Sequence, residues 1–437
     1  MPTEQARNRF GRAGGLAFWK IVGSGAAFQA GSSAVDSATV VASLVLHLTG
    51  SVYAVGAASA VLRLGWLLPQ IVVGYWAQRM RWRMPFYVIG AFGRAACIAL
   101  IAALLALAGG EPAGRWVAVA FLGLWTLYAF VSGIVAVPYN DIVGRSIPSG
   151  SRSRLLAWRF FGGGVLAVGV AAVAHHLLSS APIMTAYALV FALAALLMFV
   201  SSISFVAAGE PATPPKPPAV SGGFGNFLKA GVAALRDDVR FRMFLHIQWL
   251  SGATLMTLPF YVVLAFALGL GPMDVGLLLG AQTVGSLASN PVWGCIGDRR
   301  GKLALMRCVG VLRLGAPLGA LGIAAVSGTF DASAVLIAFV LLFVLVGALI
   351  NGMTIGYLGY LMEISPDDKR SAYSGWFNAF AAPAALLPLV GAAIADGLAL
   401  EAMFGMAIIA AVLQLFLLSK LAHVPTPVAA TDGDAVA

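Results

Sequence analysis

The stretch GCIGDRRGK, from Gly294 to Lys302, places four charged residues and three glycines between two long apolar runs. It does not match a phosphate-binding loop, because that motif requires a glycine five residues before its final Gly-Lys pair and a Ser or Thr after it. Ile296 and Leu303 occupy those two positions. The stretch therefore indicates a polar connection between two apolar elements and excludes a nucleotide-driven motor at this point.

The apolar runs on either side extend along the whole chain. Of its 437 residues, 60% are hydrophobic and 10% are charged, whereas soluble proteins carry about 25% charged residues. A bilayer-spanning helix needs about 20 apolar residues, and backbone in lipid must satisfy its own hydrogen bonds. We therefore predict an all-α integral membrane protein with twelve transmembrane helices, at residues 21–47, 52–77, 84–108, 115–137, 155–178, 182–207, 240–268, 273–296, 303–327, 332–361, 370–395 and 399–421.

Basic residues follow a strong alternation along this series. Most of the 27 Lys and Arg residues lie before helix 1 or after the even-numbered helices, and the loops on the other side hold Arg115. Such asymmetry predicts that the basic loops and both chain termini face the cytoplasm. We expect a multi-pass protein of a bacterial inner membrane. Because topology explains the net charge of +10, no nucleic-acid partner is expected.

The sequence also repeats itself. GYWAQRMRW begins at Gly74, 220 residues before Gly294, and Pro148 precedes Pro366 by 218 residues. Two separate offsets of about half the chain predict a duplicated six-helix unit. The halves are the helices before and after a Pro- and Gly-rich stretch, GEPATPPKPPAVSGG, at residues 208–222.

This repeat divides the chain into five parts. They are a cytoplasmic segment at 1–20, a six-helix bundle at 21–207, a cytoplasmic linker at 208–239, a second six-helix bundle at 240–422 and a disordered cytoplasmic tail at 423–437. Within the linker, Phe224, Phe227, Leu228, Val232 and Leu235 share one face of a predicted amphipathic helix.

The residues Gly294, Asp298, Arg299, Gly301 and Lys302 form the pattern G-x-x-x-D-R-x-G-K between helices 8 and 9. With six plus six helices and a central linker, this pattern resembles the major facilitator superfamily over residues 20–422. Residues 62–79 and 140–164 are similar to a poorly characterised bacterial group of that superfamily. The resemblance implies two pseudo-symmetric six-helix bundles and transport of a small solute by alternating access.

The resemblance also implies a mechanical role for these five residues, which we call the gate motif. The motif's acid would lie at the positive N-terminus of a helix of the other half, and its glycine would allow close helix approach. The first copy, Gly74, Gln78 and Arg79, has Gln in place of the acid. The alternative interpretation is a basic loop with a turn glycine and no gating role.

Asp36 and Arg63 are predicted to lie at the same depth in the membrane. Asp36 is about 14 residues from the cytoplasmic start of helix 1 and Arg63 about 15 residues from the cytoplasmic end of helix 2, so at about 1.5 Å per residue both lie roughly 22 Å inside. Because buried charges in membranes are costly, we predict an ion pair. It would act as a proton or substrate switch, or as a static bridge between the helices.

Other polar and aromatic residues lie near mid-membrane, where transporter sites lie between the halves. As a set, they are the predicted cavity residues: Gln29, Ser33, Gln70, Trp125, Tyr128, Gln248, Asn351 and Asn378. Arg94 and Arg313 occupy duplicate positions in helices 3 and 9, and bonding to neighbouring groups is the favoured role for both.

These observations favour a secondary transporter over an enzyme, since no set of nucleophile, base and oxyanion donors converges in the sequence. No cofactor or metal site is expected. Proton coupling through Asp36 is one hypothesis and uniport is another. The alternative class is a non-transport membrane scaffold or assembly factor that keeps the fold. The expected partners are a small-molecule substrate, H⁺ and the lipid bilayer, with a monomeric protein; the sequence identifies no substrate.

Overall fold

The structure, a computed structural model, describes residues 4–77, 80–108, 115–147, 149–211, 223–329, 331–365 and 370–424. Apart from short 3₁₀ turns and the connecting loops, these residues form α-helices. They are α1 (Glu4–Ala34), α2 (Val40–Thr49), α3 (Val52–Ala77), α4 (Met84–Leu107), α5 (Arg115–Gly133), α6 (Ala136–Ser146), α7 (Ser149–Ser180), α8 (Ile183–Val206), α9 (Phe224–Asp237), α10 (Val239–Leu255), α11 (Phe260–Ala267), α12 (Val275–Arg299), α13 (Lys302–Arg313), α14 (Gly315–Val326), α15 (Ala332–Ile364), α16 (Arg370–Ala381), α17 (Leu387–Gly397) and α18 (Leu400–Leu421).

Without α9, these helices form twelve segments in the described parts of the chain, each at the position of one predicted transmembrane helix. Segments 1, 4, 7, 9 and 11 are broken into the pairs α1–α2, α5–α6, α10–α11, α13–α14 and α16–α17. Ten segments of the described chain are long and apolar enough to cross a membrane. The other two are segment 1, which is divided, and segment 8, which carries Gln282, Thr283 and Asn290. The predicted fold class is confirmed.

Proline explains four of the five breaks, which the sequence analysis did not predict. Pro138, Pro259, Pro317 and Pro383 each lie within three residues of the point where a segment is interrupted. A proline lacks the backbone N–H and its ring clashes with the preceding turn, so a helix ends near it. Proline is not sufficient, because α3 contains Pro69 and α12 contains Pro291 without ending there.

Segment 1 is broken by a side chain. Between α1 and α2, Asp36 Oδ1 accepts hydrogen bonds of 3.0 Å from the backbone N–H groups of Ala38 and Thr39. A short carboxylate can satisfy the unpaired N–H groups at a helix start in this way. The break of segment 1 and the break of segment 7 at residues 256–259 lie about 220 residues apart, and thus at matching positions of the duplicated unit.

The twelve segments alternate between two sides of the bundle. We call the side that carries the ends of α6 and α8 and the starts of α4 and α13 the basic side, and the other the opposite side. On the opposite side the two halves meet closely: a Cβ added at Gly276 would lie 2.3 Å from the Cα of His175, and one at Gly56 would lie 2.5 Å from the Cβ of Ala392. Segments 5 and 8 stay in contact to mid-membrane, where Leu287 packs on Gly164.

The linker is represented in the structure by α9, while residues 212–222 lie outside the described residues. Gly231 of α9 packs against the indole of Trp376 in segment 11, and Leu235 lies against the core. Phe224 and Val232 are exposed. Residues 1–3 and 425–437, at the ends of the predicted N-terminal segment and tail, also lie outside the described part.

Candidate functional site

The carboxylate of Asp36 occupies the break of segment 1. Besides the two backbone N–H groups, its Oδ1 accepts from the Thr39 hydroxyl at 3.0 Å, and its Oδ2 accepts from Nε2 of Gln282 in segment 8 at 3.4 Å. Segment 8 belongs to the other half of the duplicated unit, so Asp36 links the two halves near mid-membrane. Sequence analysis missed Gln282, whose side-chain orientation is fixed only by packing.

The predicted ion pair between Asp36 and Arg63 is wrong for this conformation. Arg63 turns toward segment 7, where its Nη2 donates to the carbonyl of Leu255 at 3.4 Å, and the ion pairs of the described residues include neither side chain. Residue counts give the depth of a side chain along the membrane, but they do not give the rotation of its helix. In the break of segment 1, the carboxylate bonds to backbone N–H groups of its own segment.

Arg313 of segment 9 contacts the same helix as Arg63. Its Nη1 donates to the hydroxyl of Ser251 at 2.7 Å, and the side chain is 3% exposed. Its Nη2 has no hydrogen-bond partner. The residue borders a cavity of about 20 Å³, room for about one water molecule. The cavity's polar lining comes from Thr254, Thr257 and Tyr261.

The duplicate of Arg313 has a different partner. The guanidinium of Arg94 lies 3.9 Å from the ring centre of Phe28, and Arg94 is 4% exposed. A cation stacked on an aromatic face is stabilised by the ring's quadrupole. Both arginines therefore contact neighbouring groups, as expected, and each keeps one buried nitrogen without a hydrogen-bond partner, Nε in Arg94 and Nη2 in Arg313.

One of the predicted cavity residues joins a polar cluster between segments 8 and 10. The side-chain amide of Asn351 donates to the Ser286 hydroxyl at 2.7 Å and to Oδ1 of Asn290 at 3.0 Å. Such a cluster across two helices is expensive in a membrane unless its groups satisfy each other. The sequence analysis identified Asn351 and missed its two partners.

The contacts of Trp125 and Tyr128 lie within the N-terminal half. Trp125 is 1% exposed, its Nε1 donates to the carbonyl of Ala58, and Tyr128 stacks on it with ring centres 5.0 Å apart. In this conformation both belong to the core. They do not come together with Asn351.

The remaining predicted cavity residues are dispersed. Ser33 donates to the carbonyl of Ala30 and Gln70 to that of Trp66, each within its own helix. Gln29 and Gln248 have buried Oε1 atoms without a hydrogen-bond partner, and Asn378 is exposed. The structure therefore does not assemble all eight residues into one site.

The gate motif lies at the basic end of segment 8. Gly301 has a φ of 84°, a left-handed conformation that glycine adopts without a steric cost, and it allows the sharp turn into α13. Lys302 then folds back over the end of segment 8, where its Nζ lies 3.3 Å from Oδ1 of Asp298. The aliphatic part of Lys302 packs on Gly359 of segment 10.

In this conformation the gate motif does not make the inter-half contact that the resemblance implies. The side chain of Asp298 is 80% exposed, and its hydrogen bond in the described chain is to Lys302 of its own half. A Cβ added at Gly294 would meet nothing within 4 Å. In the first copy, Gln78 and Arg79 lie outside the described residues, and Gly74 lies within α3.

A charged cluster that the sequence analysis missed joins the basic ends of segments 3, 4 and 6. Glu210 accepts from the backbone N–H groups of Arg83 and Met84 at the start of α4, and it pairs with Arg145. Asp141 pairs with Arg145 at 2.8 Å and with Arg83 at 3.5 Å. Glu210 could have been found from sequence as a lone acid directly after segment 6 on the side rich in basic residues.

This environment sets the charge of Glu210. Its side chain is 4% exposed, and burial by itself would raise the pKa. The hydrogen bonds from Arg83, Arg145 and Met84 outweigh burial and hold the pKa of Glu210 below its ordinary value. The carboxylate is therefore charged at neutral pH, and it stabilises the positive N-terminus of α4.

The sequence was compared with known families and curated proteins. The family model of the Major Facilitator Superfamily matches residues 247–436. No curated protein matches the chain significantly.

Solved structures match over nearly the whole chain. A variant of the nucleoside transporter NupG matches with a TM-score of 0.66 and 14% identity, over 93% of this chain and 99% of that one. A bacterial homologue of the iron transporter ferroportin in its inward-facing state matches with a TM-score of 0.64 and 15% identity, over the same shares. Its outward-facing state gives a TM-score of 0.59 and 14% identity, again over 93% and 99%.

Proposed function

We propose that the chain is a membrane transporter of the major facilitator superfamily and that it moves a small solute by alternating access, with Asp36 taking up a proton during the cycle. The observation that carries this proposal is the position of Asp36. It lies in a break of segment 1 and contacts Gln282 across the two halves. Transporter sites are commonly built from broken helices at the interface of the repeats.

Protonation of Asp36 would act on that contact directly. As a carboxylate it accepts a hydrogen bond from Gln282 with the extra strength of a charged acceptor. Once neutral, it becomes a weaker acceptor, and segments 1 and 8 separate more easily. Its bonds to Ala38 and Thr39 lie within segment 1 and do not depend on the position of the other half. Proton uptake and rearrangement of the halves would be coupled in this way.

Two features support a state in which the halves are joined on the opposite side and released on the basic side. Gly276 and His175 are in close contact on the opposite side, while Asp298 at the basic end is exposed and bonded within its own half. The higher TM-score with the inward-facing relative than with the outward-facing one agrees with this. The gate motif would engage when the basic side closes.

The orientation and the surroundings of the protein follow the basic residues. We propose that the basic side faces the cytoplasm of a bacterium, that both termini lie there and that the protein works as a monomer in the inner membrane. A fluorescent protein that matures only in the cytoplasm, fused to the C-terminus, is expected to fluoresce. A dark but full-length fusion would place the terminus outside.

The function is tested by an untargeted comparison of metabolites inside and outside cells that produce the wild type, Asp36→Asn or neither. Asp396→Asn, the same change at an exposed acid, is the matched control. We expect one solute to change with the wild type and with Asp396→Asn, and at most a tenth of that change with Asp36→Asn. An equal change with Asp36→Asn would show that Asp36 does not couple protons and would favour uniport.

A further inference from the structure

Two positive side chains meet the same short stretch of segment 7. Arg63 of segment 2 donates to the carbonyl of Leu255, and Arg313 of segment 9 donates to the hydroxyl of Ser251. Ser251 and Leu255 lie four residues apart on α10, so the two contacts are about 6 Å apart along one helix face. The two guanidinium groups therefore converge from both halves on the end of α10.

These two charges lack a negative partner at their depth. Asp36 is the acid at mid-membrane in the described chain, and it is engaged by Ala38, Thr39 and Gln282. The four ion pairs of the described residues lie at the basic ends of the helices and include neither Arg63 nor Arg313. Charges inside a membrane are normally paired or functional.

Arg313 also has an unused hydrogen-bond donor. It is 97% buried, its Nη2 has no partner, and it borders the cavity of about 20 Å³ lined by Thr254, Thr257 and Tyr261. This cavity has room for one oxygen atom, next to the guanidinium of Arg313 and the hydroxyl of Tyr261; the hydroxyls of Thr254 and Thr257 already donate to backbone carbonyls. A buried donor without an acceptor is destabilising, so an acceptor supplied from outside the protein would relieve that cost.

A purely structural role accounts for only part of this arrangement. The end of α10 carries about half a unit of negative charge, which attracts a cation, but two full positive charges lie there. Arg94, the duplicate of Arg313, also has a buried nitrogen without a partner, but its guanidinium stacks on the ring of Phe28, whereas Arg313 borders a cavity with a polar lining. The two arginines at segment 7 thus leave a net positive charge between the halves.

From this juxtaposition we propose that the transported solute carries a carboxylate or phosphate group, and that Arg63 and Arg313 bind it at the break of segment 7. The inference rests on the proposed transport function and specifies its substrate class. Arg63 is half-buried and meets the anion first. Arg313 then donates a hydrogen bond to one oxygen of the anion, which occupies the adjacent cavity. Because the arginines belong to different halves, the bound anion would also draw the halves together.

The test uses the purified full-length protein in lipid nanodiscs and measures the midpoint of thermal unfolding. The probes are sodium succinate for a carboxylate and inorganic phosphate for a phosphate group, with sodium chloride at matched ionic strength and choline chloride as controls. At saturation, the anion of the correct class is expected to raise the midpoint on the order of 3 °C. The variants are Arg63→Gln, Arg63→Lys, Arg313→Lys and, as the matched control, Arg94→Lys.

We expect Arg63→Gln to abolish the shift, Arg63→Lys and Arg313→Lys to reduce it, and Arg94→Lys to keep it. The lysine variants retain the positive charge, so they still test the contribution of each guanidinium if Arg63→Gln does not fold. An equal shift with sodium chloride, a shift that persists in Arg63→Gln, or no shift with either anion overturns the proposal. A neutral or cationic solute in the whole-cell comparison would overturn the anion site while leaving the transport function intact. Anion binding without any transported solute would support the anion site and contradict the transport function.

Discussion

Oδ2 of Asp36 lies 3.4 Å from Nε2 of Gln282, so a residue in the break of segment 1 contacts the second half of the protein, which begins about 200 residues later. The same carboxylate holds the start of α2 through Oδ1. One side chain thus serves the local structure of segment 1 and the contact between the halves, and substitutions can separate these two roles.

Asp36→Asn and Asp36→Ala are expected to differ in stability. Asparagine keeps an oxygen for the N–H groups of Ala38 and Thr39, so we expect a loss below about 1 kcal/mol; alanine leaves these donors unpaired at about 1–3 kcal/mol. Thermal unfolding in detergent measures the difference. Similar midpoints for both variants would mean that the carboxylate does not hold the start of α2.

Alanine substitutions of two glycines of the gate motif, Gly294 and Gly301, should have different effects. Gly301→Ala forces a side chain into a left-handed conformation and is expected to cost about 1 kcal/mol of stability. Gly294→Ala meets open space in this conformation, so stability should not change. Solute transport should nevertheless fall several-fold, because the helix approach at closure is blocked. Unchanged transport in Gly294→Ala would argue for the plain turn interpretation of the motif.

Glu210 should make stability depend on pH. Since its pKa is below the ordinary value in the folded state, it contributes stability above the unfolded pKa of about 4.3 and loses it as the pH falls through the folded pKa. We expect Glu210→Gln to cost about 2 kcal/mol at pH 7 and the difference from the wild type to shrink below about pH 4. Unfolding midpoints between pH 3 and 7 measure this. Glu363→Gln, at an exposed acid on the same side, should show no such change.

Gly276 should control the closed contact on the opposite side. Gly276→Leu cannot fit against His175, so the halves are expected to separate there. Gly271→Leu is the control, because it adds a side chain in open space four residues after the end of α11. Spin labels at Ser180→Cys and Leu398→Cys, with the native cysteines replaced, report the separation by double electron–electron resonance. We expect several ångströms of increase with Gly276→Leu. An unchanged distance distribution would show that the segment 5–segment 8 contact does not hold the closed side.

The fold was predictable to a large degree, and the candidate site only in part. Runs of apolar residues located all twelve segments, and the GDRRGK pattern indicated the resemblance to the superfamily. The breaks before Ala136 and before Phe260 were missed although Pro138 and Pro259 marked them. The break at Asp36 carried no such mark, because it depends on a carboxylate that bonds back to its own chain.

The sequence by itself determined which stretches enter the membrane and in what order, since the cost of placing backbone and polar groups in lipid depends on each stretch alone. Only the tertiary structure decided which side chains of different segments contact each other. Each residue turns a helix by 100°, so an error of one residue in rotation moves a side chain to another neighbour. Arg63 therefore meets Leu255 and not Asp36, and Glu210 meets the start of α4. These contacts join residues 126 to 192 positions apart, and they form only when all the segments have packed.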